Sequence, residues 1–247
     1  MEWVKTREDA PAGLFRAEAA GLEWLRVPGG VPVVKVLAVS ETSITVERVR
    51  RITPTPEAAQ DFGRALVRTH DAGADGFGAA PEGYTGPCFI ADLPMSTDPM
   101  PTWGEFYARQ RVMPYVTLAR GVGTDEMRTF SRLADRLIEG VFDDDSPPAR
   151  LHGDLWSGNV IFAPNGATVI DPSAHGGHRL SDLAMLSLFG TPHLDQILQG
   201  YESASTMLPG GWRRLISLHQ VYPLLVHAVL FGGGYWGAAI QAARAYL

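Results

Sequence analysis

Hydrophobic and polar residues follow two different periods along the chain, and the change between them predicts two units. Three stretches near the start are rich in β-forming residues, at 2–6, 31–39 and 43–49. Residues 15–24 carry apolar side chains at helical spacing. Pro54 and Pro56 then predict a connector leading into a helix at about 57–71. We therefore predict a small sheet unit at residues 1–52 and a larger unit at 53–247.

The larger unit is mainly helical. Apolar positions recur at helical spacing in five segments, at about 103–119, 124–140, 181–188, 193–203 and 211–230. Residues 73–102, dense in Gly, Pro, Asp and Met, show no period and predict an irregular excursion. With the sheet unit in front, the pattern predicts an α+β fold.

One short region of the larger unit has the pattern of a β-hairpin. In "NVIFAPNGATVIDP" (159–172), two apolar runs flank the Asn-Gly pair at 165–166, which is typical of a two-residue hairpin turn. Counting outward from that turn pairs Val160 with Asp171. Asn159 and Asp171 are therefore expected together at the open end of the hairpin.

The preceding loop brings a second carboxylate to the same end. Asp154 lies in "LHGDLWSGN" (151–159), five residues before Asn159. Two carboxylates and an amide oxygen are hard ligands of the kind that Mg²⁺ accepts beside water and phosphate. A phosphoryl-transfer site would use Asn159 and Asp171 for the metal and Asp154 for the acceptor hydroxyl, as base or orienter. The alternative is a polar loop that caps itself with Asx turns.

The sheet unit offers a second part of such a site. Glu18 falls within the apolar stripe of the first predicted helix, between Phe15 and Leu22, so its carboxylate needs a partner. Lys5 on the preceding strand is the candidate, because protein-kinase-like enzymes pair a strand lysine with a helix glutamate near the phosphates. Either residue alone would more often be a solvated surface charge.

Several long stretches closely resemble the fructosamine/ketosamine kinase family, in the aminoglycoside-phosphotransferase branch of the protein-kinase-like fold. These are "VKTREDAPAGLFRAEAAGLEWL", "WGEFYARQRVMPYV", "LHGDLWSGN", "VIDPSAHGGHRLSDLAMLSLFG" and "VYPLLVHAVLFGGGYWG". The similarity runs through nearly the whole chain. It implies a two-lobed fold, with a small N-terminal β-sheet lobe and a mainly helical C-terminal lobe.

The resemblance also implies the reaction. The family uses ATP and Mg²⁺ to phosphorylate a sugar hydroxyl of ketosamines, free or protein-bound, which destabilises the adduct and reverses glycation. Asp154 would be the catalytic aspartate, and Asn159 and Asp171 would bind the metal.

Other residues acquire supporting roles from the same resemblance. Lys5 would contact the ATP phosphates and pair with Glu18. Glu47, in "VERV" at the end of the last predicted strand, would lie at the hinge that meets adenine. Asp182 would anchor the loop that carries the catalytic aspartate, and His152 would shape that loop.

The chain departs from the family pattern at its start. In the family, a strand pair carrying the phosphate-covering loop precedes the lysine strand, whereas here "MEWV" alone precedes Lys5. Either the natural start lies upstream, or we expect a shortened member whose nucleotide site is open on one side. Two alternatives stay open: a kinase for another hydroxylated amine such as an aminoglycoside, and a catalytically silent nucleotide-binding protein.

Composition indicates which partners and which cellular compartment to expect. A formal net charge of −6 without a block of Lys and Arg argues against a nucleic-acid partner. The chain has no run of about 18 to 20 apolar residues, so we expect no membrane span. A single cysteine, Cys88, and the polar start "MEWVKTREDAP" favour the cytoplasm. Nothing in the sequence specifies an oligomeric state.

Two other motifs suggest a dinucleotide site and a zinc site, and the sequence supports each of them less than the phosphoryl-transfer site. Residues 232–237 match G-x-G-x-x-G, but the preceding segment does not have the pattern of a strand, as a dinucleotide site requires. His175, which stands where the family often has an aromatic residue, and His178 could suggest zinc. No thiol or further histidine lies near them in sequence, so we expect solvated loop histidines.

Overall fold

The computed structural model describes residues 1–119 and 121–247. The strands of these residues are β1 (Glu2–Thr6), β2 (Val36–Val39), β3 (Ser43–Glu47), β4 (Cys88–Ile90), β5 (Leu93–Met95), β6 (Ala149–Leu151), β7 (Val160–Ala163), β8 (Gly166–Val169) and β9 (His175–Gly177). Their α-helices are α1 (Leu14–Trp24), α2 (Pro56–Asp71), α3 (Trp103–Phe106), α4 (Met113–Leu118), α5 (Thr124–Ile138), α6 (Leu180–Leu188), α7 (Leu194–Ala204), α8 (Ile216–His219), α9 (Val221–Phe231) and α10 (Tyr235–Arg244). A π-helical turn, Tyr107–Val112, joins α3 to α4, and a 3₁₀ turn, Trp212–Leu215, precedes α8.

The first three strands form an antiparallel sheet in the order β1–β3–β2. β1 pairs with β3 along its whole length, and Lys5 lies opposite Ile44. α1 packs against β2 and β3 and buries Phe15 and Leu22 completely. The mixture of strands and helices confirms the predicted α+β class.

The stretch predicted as one strand at 31–39 divides into two parts. Val36–Val39 pairs with β3, whereas the residues before it run beside β8. The Val34 N–H donates to the Val169 carbonyl over 3.1 Å, and the Val169 N–H donates to the Pro32 carbonyl over 2.8 Å. These bonds join the N-terminal segment to the β7–β8 hairpin.

One apolar core extends from the sheet into the rest of the molecule. Its completely buried side chains include Phe15, Ile44, Leu155, Leu183 and Ile197, from both sides of residue 52. Burying a side chain of this size contributes about 1.5–3 kcal/mol to stability. The predicted division into residues 1–52 and 53–247 stays a prediction.

α2 and α7 cross at two glycines within this core. A Cβ added at Gly63 would lie 2.0 Å from the Ile197 carbonyl oxygen, and one added at Gly200 would lie 2.0 Å from the Gln60 carbonyl oxygen. A larger residue does not fit at either position, so the two helix backbones are in direct contact.

A second core lies among the later helices. It buries Tyr107, Phe130, Leu133 and Leu225, from the π-helical turn, α5 and α9. The helices predicted near 103–119 and 124–140 are confirmed, the first with the π-helical turn in its middle. The helix predicted at 211–230 is wrong as a single element, because the 3₁₀ turn, α8 and α9 divide it.

Part of this segment also has the composition of a membrane span. In the described part of the chain, Trp212–Phe231 is the one helical stretch that by length and mean hydropathy, 1.3, could cross a membrane. It contains Arg213 and Arg214, however, and its Leu218 and Val221 are completely buried in the second core.

The β7–β8 hairpin forms as expected, but its predicted register is wrong. Val160 pairs with Val169 rather than with Asp171, and the two turn residues are Pro164 and Asn165. Proline favours the second position of a turn and glycine the fourth, so the chain turns one residue earlier than an Asn-Gly turn would require.

Candidate active site

The predicted site residues meet in one pocket of about 310 Å³ between α1, the β4–β5 hairpin and the segments that flank the β7–β8 hairpin. We call it the polar pocket. Among its lining residues are five of the six predicted ones: Lys5, Glu18, Asp154, Asn159 and Asp171. The sixth, Glu47, lines a neighbouring cavity.

Lys5 contacts two carboxylates from different elements. Its Nζ lies 3.0 Å from Glu18 Oε2 and 3.2 Å from Asp171 Oδ2. Burial raises the pKa of Glu18, whose side chain is only 8% exposed, and Lys5 offsets part of that rise. Burial lowers the pKa of Lys5, but the two carboxylates together raise it above its ordinary value. Lys5 therefore keeps its proton and links α1 to the segment after β8.

Asn159 holds Asp154 against the hairpin. Its Nδ2 donates to Asp154 Oδ2 and to the Asp154 carbonyl, both over 2.9 Å, and also to the Asp171 carbonyl over 3.4 Å. Burial raises the pKa of Asp154 to about 6, although the bond from Asn159 opposes that rise. Near neutral pH, Asp154 is therefore a stronger proton acceptor than an ordinary aspartate.

The oxygen donors of this site suit a metal that is also held by substrate. Because Asn159 turns its amide nitrogen toward Asp154, its amide oxygen is left for a cation, and Asp171 lines the same pocket. Within residues 1–119 and 121–247, no three His, Cys, Asp or Glu side chains gather closely enough to hold a metal ion by themselves. A hard cation here would need phosphate or water oxygens as well, as Mg²⁺ commonly does.

Asp182 anchors the Asp154 loop, which we define as residues 152–159. Its Oδ2 accepts from the His152 N–H over 2.8 Å, and its Oδ1 accepts from the Gly153 N–H over 3.0 Å. His70 Nε2 lies 3.2 Å from the same carboxylate, which is 1% exposed. The geometry agrees with the anchoring role that the resemblance implied for Asp182. His70 was missed, because it lies on α2, far away in sequence.

Two further features fix the path of this loop. The ring of His152 donates from Nε2 to the Ile170 carbonyl over 2.9 Å, which ties the loop to the end of β8. Gly153 has φ +80, and a Cβ there would lie 2.1 Å from the Ser173 carbonyl oxygen. Both conditions require glycine at this position.

An apolar cavity of about 180 Å³ adjoins the polar pocket. Trp3, Val46, Ile170 and Glu47 are among its lining residues, and Asp171 lines both spaces. An apolar cavity beside a charged pocket is a suitable arrangement for the flat base and charged tail of a nucleotide.

Sequence reasoning missed part of the pocket wall. Arg7 lines the polar pocket, and so do Cys88, Phe89 and Met95 of the β4–β5 hairpin. Strand alternation could have found Arg7, since it follows Lys5 by two residues and continues the same face just past the end of β1. The hairpin strands are three residues long and too short to show a period.

His175 and His178 are not the solvated loop histidines that we expected. They are 4% and 3% exposed, because β9 pairs with β6 inside the molecule. His175 Nδ1 donates to the Ser173 carbonyl over 2.8 Å, and His178 Nε2 lies 3.2 Å from Asp144 Oδ2. Each therefore has a protein partner.

Acid is expected to destabilise the fold through His175. Burial, assisted by Arg111, lowers its pKa from 6.5 to about 3. Between these values the unfolded chain binds a proton that the folded chain does not, so stability falls as pH drops below 6.5. The free energy of unfolding, measured with urea between pH 7 and 5, should depend less steeply on pH in His175→Phe than in the wild-type protein. The difference in slope should be up to about 1.4 kcal/mol per pH unit. His193→Asn, at a partly exposed position, is the control; equal slopes in all three proteins would contradict the prediction.

Known proteins resemble this chain along most of its length. The family model described as fructosamine kinase matches residues 2–247. A probable ketoamine kinase of Thermus thermophilus is 33% identical, over 98% of this chain and 86% of the relative. A crystal structure of a candidate fructosamine-3-kinase from Thermobifida fusca YX-ER1 is 47% identical, with a TM-score of 0.89 over 99% of this chain and 84% of that one.

More distant structures share the fold. Choline kinase LicA from Streptococcus pneumoniae superposes with a TM-score of 0.62 at 16% identity, over 99% of this chain and 86% of that one. This likeness confirms the predicted protein-kinase-like fold. With the family match over almost its whole length, the chain belongs to the fructosamine kinase family and is a phosphotransferase of the kinase type.

Proposed function

We propose that this protein transfers the terminal phosphoryl group of ATP to a sugar hydroxyl of a ketosamine, with Mg²⁺. The observation that carries the proposal is the continuous set of contacts in the polar pocket. Lys5 joins Glu18 to Asp171, through contacts of 3.0 and 3.2 Å. Asn159 joins the Asp171 carbonyl to the Asp154 carboxylate, through contacts of 3.4 and 2.9 Å. Family membership supports the ketosamine as acceptor.

Asp154 is proposed to orient the acceptor hydroxyl and to receive its proton. As the hydroxyl oxygen bonds to the terminal phosphorus, the bond from that phosphorus to the bridging oxygen breaks and ADP leaves. The pKa of about 6 suits this role, because the carboxylate is ionised at neutral pH and still accepts a proton readily.

Asn159 and Asp171 are proposed to hold Mg²⁺ through the Asn159 amide oxygen and the Asp171 carboxylate. When bound, the metal neutralises charge on the phosphates. Lys5, fixed by Glu18, is proposed to contact the same phosphates. Its two carboxylate contacts position the ammonium group before the nucleotide arrives.

The apolar cavity is proposed to take the adenine ring, with the Glu47 backbone at the hinge. The β4–β5 hairpin would form one wall on the acceptor side, since Cys88 and Phe89 line the polar pocket. We also propose that the acceptors include free and protein-bound ketosamines and that the enzyme acts in the cytoplasm. In that setting, phosphorylation would destabilise the sugar adduct and reverse glycation.

The test is ADP release by purified protein with ATP, Mg²⁺ and a fructosamine or ribulosamine. We expect turnover with the ketosamine, loss of turnover on chelation of the metal, and recovery with added Mg²⁺. Fructose, the unmodified amine and an aminoglycoside are the matched acceptors. Faster turnover with the aminoglycoside would contradict the ketosamine assignment, and nucleotide binding without turnover of any acceptor would contradict the catalytic one.

A further inference from the structure

Three side chains near the start of the chain share one face and span the two spaces of the site: Trp3 and Lys5 on β1, and Arg7 just past its end. Trp3 lines the apolar cavity, whereas Lys5 and Arg7 line the polar pocket. The ladder continues past the strand end, because the Arg7 N–H donates to the Thr42 carbonyl over 2.9 Å. Since a strand rises by about 3.3 Å per residue, Arg7 lies roughly 6.6 Å beyond Lys5, on the side away from the apolar cavity.

Arg7 is paired with exposed carboxylates. Its Nε donates to Asp9 Oδ1 over 3.0 Å, and its Nη1 donates to Asp92, in the turn between β4 and β5. The Asp9 and Asp92 side chains are 84% and 44% exposed. Exposed ion pairs are weak, so Arg7 can exchange these partners for a group of higher charge.

Within the residues that the structure describes, Arg7 is one of two cations that line the polar pocket. Among the described residues that line it, Lys5 and Arg7 are the cations, and Glu18, Asp92, Asp154 and Asp171 are the anions. Lys5 is held by Glu18 and Asp171. A polyphosphate that extends along β1 from the apolar cavity therefore meets Lys5 first and Arg7 at its far end.

We propose that Arg7 binds the terminal phosphoryl group of the nucleotide and leaves Asp92 as it does so. This inference rests on the proposed function for the identity of the nucleotide. Arg7 would thereby distinguish the triphosphate from the diphosphate, whereas Lys5 would contact both. A guanidinium can give two charge-assisted hydrogen bonds to one phosphoryl group.

Binding of a non-hydrolysable ATP analogue and of ADP, each with Mg²⁺, tests this by calorimetry. Arg7→Ala should weaken binding of the analogue about tenfold and leave ADP binding unchanged. Asp92→Asn and Asp9→Asn keep the guanidinium and free it from one carboxylate. Both should bind the analogue at least as tightly as the wild-type protein.

The outcomes distinguish an Arg7 that contacts the phosphate from an Arg7 that only holds the β4–β5 turn through Asp92. If Arg7→Ala weakens both nucleotides equally, or if Arg7→Ala and Asp92→Asn weaken analogue binding together, the phosphoryl contact is wrong. An analogue affinity in Arg7→Ala equal to that of the wild-type protein would also overturn it. Wild-type protein that binds neither nucleotide would instead contradict the proposed function, which is a different result.

Discussion

The Asp154→Asn variant is expected to transfer the phosphoryl group about 10² to 10⁴ times more slowly than the wild-type protein, with its nucleotide affinity unchanged. The asparagine can still accept a hydrogen bond from Asn159 Nδ2 through its amide oxygen, so the Asp154 loop keeps its shape. It cannot receive the proton of the acceptor hydroxyl. The measurement is kcat at saturating ATP and ketosamine, with the nucleotide Kd measured by calorimetry.

A carboxylate far from the pocket provides the control. Asp135→Asn removes the same charge from the exposed face of α5 and should leave kcat as it is. Wild-type kcat in Asp154→Asn would remove Asp154 from the mechanism. An equal loss in both variants would assign the effect to net charge rather than to position.

The Asp182→Ala variant is expected to lower the free energy of unfolding by about 3–5 kcal/mol. Its carboxylate is buried, and its removal leaves the N–H groups of His152 and Gly153 and the ring of His70 without their acceptor. Unsatisfied buried donors are costly because no water replaces the lost partner. Urea denaturation measures the loss.

Two further substitutions make the stability test specific. Asp182→Asn keeps one acceptor oxygen and should lose less stability than Asp182→Ala. Asp195→Ala, at an exposed position in the first turn of α7, should change the free energy of unfolding by less than about 1 kcal/mol. If Asp182→Ala were as stable as the Asp195 variant, the anchoring contacts would carry no net stability.

The most local part of the site could be predicted from sequence. Asp154 and Asn159 are five residues apart on one loop, and a short hairpin returns the chain to Asp171. Although the predicted hairpin register is wrong, Asn159 and Asp171 still meet, because Asn159 Nδ2 donates to the Asp171 carbonyl. The Lys5–Glu18 pair was also predictable, since a carboxylate in an apolar helix stripe needs a nearby cation.

Contacts between distant segments could not be predicted in the same way. The bond from His70 to Asp182 spans 112 residues, and nothing around His70 in the sequence distinguishes it from a surface histidine. The β6–β9 pair that buries His175 has strands of three residues, below the length at which alternation is visible. Tertiary packing determines these features, and the hydrophobic periodicity of a single sequence does not show which distant segments pack together.

The shared core described above limits how the enzyme can be recombined. Residues 1–52 contribute Phe15 and Ile44 to a core that also holds Leu183 and Ile197, and Val34 is hydrogen-bonded to Val169. A chimera that takes its first 52 residues from a relative would therefore place core side chains from two different proteins against each other. Exchange of residues 1–52 between family members should thus need compensating changes in β8, α6 and α7.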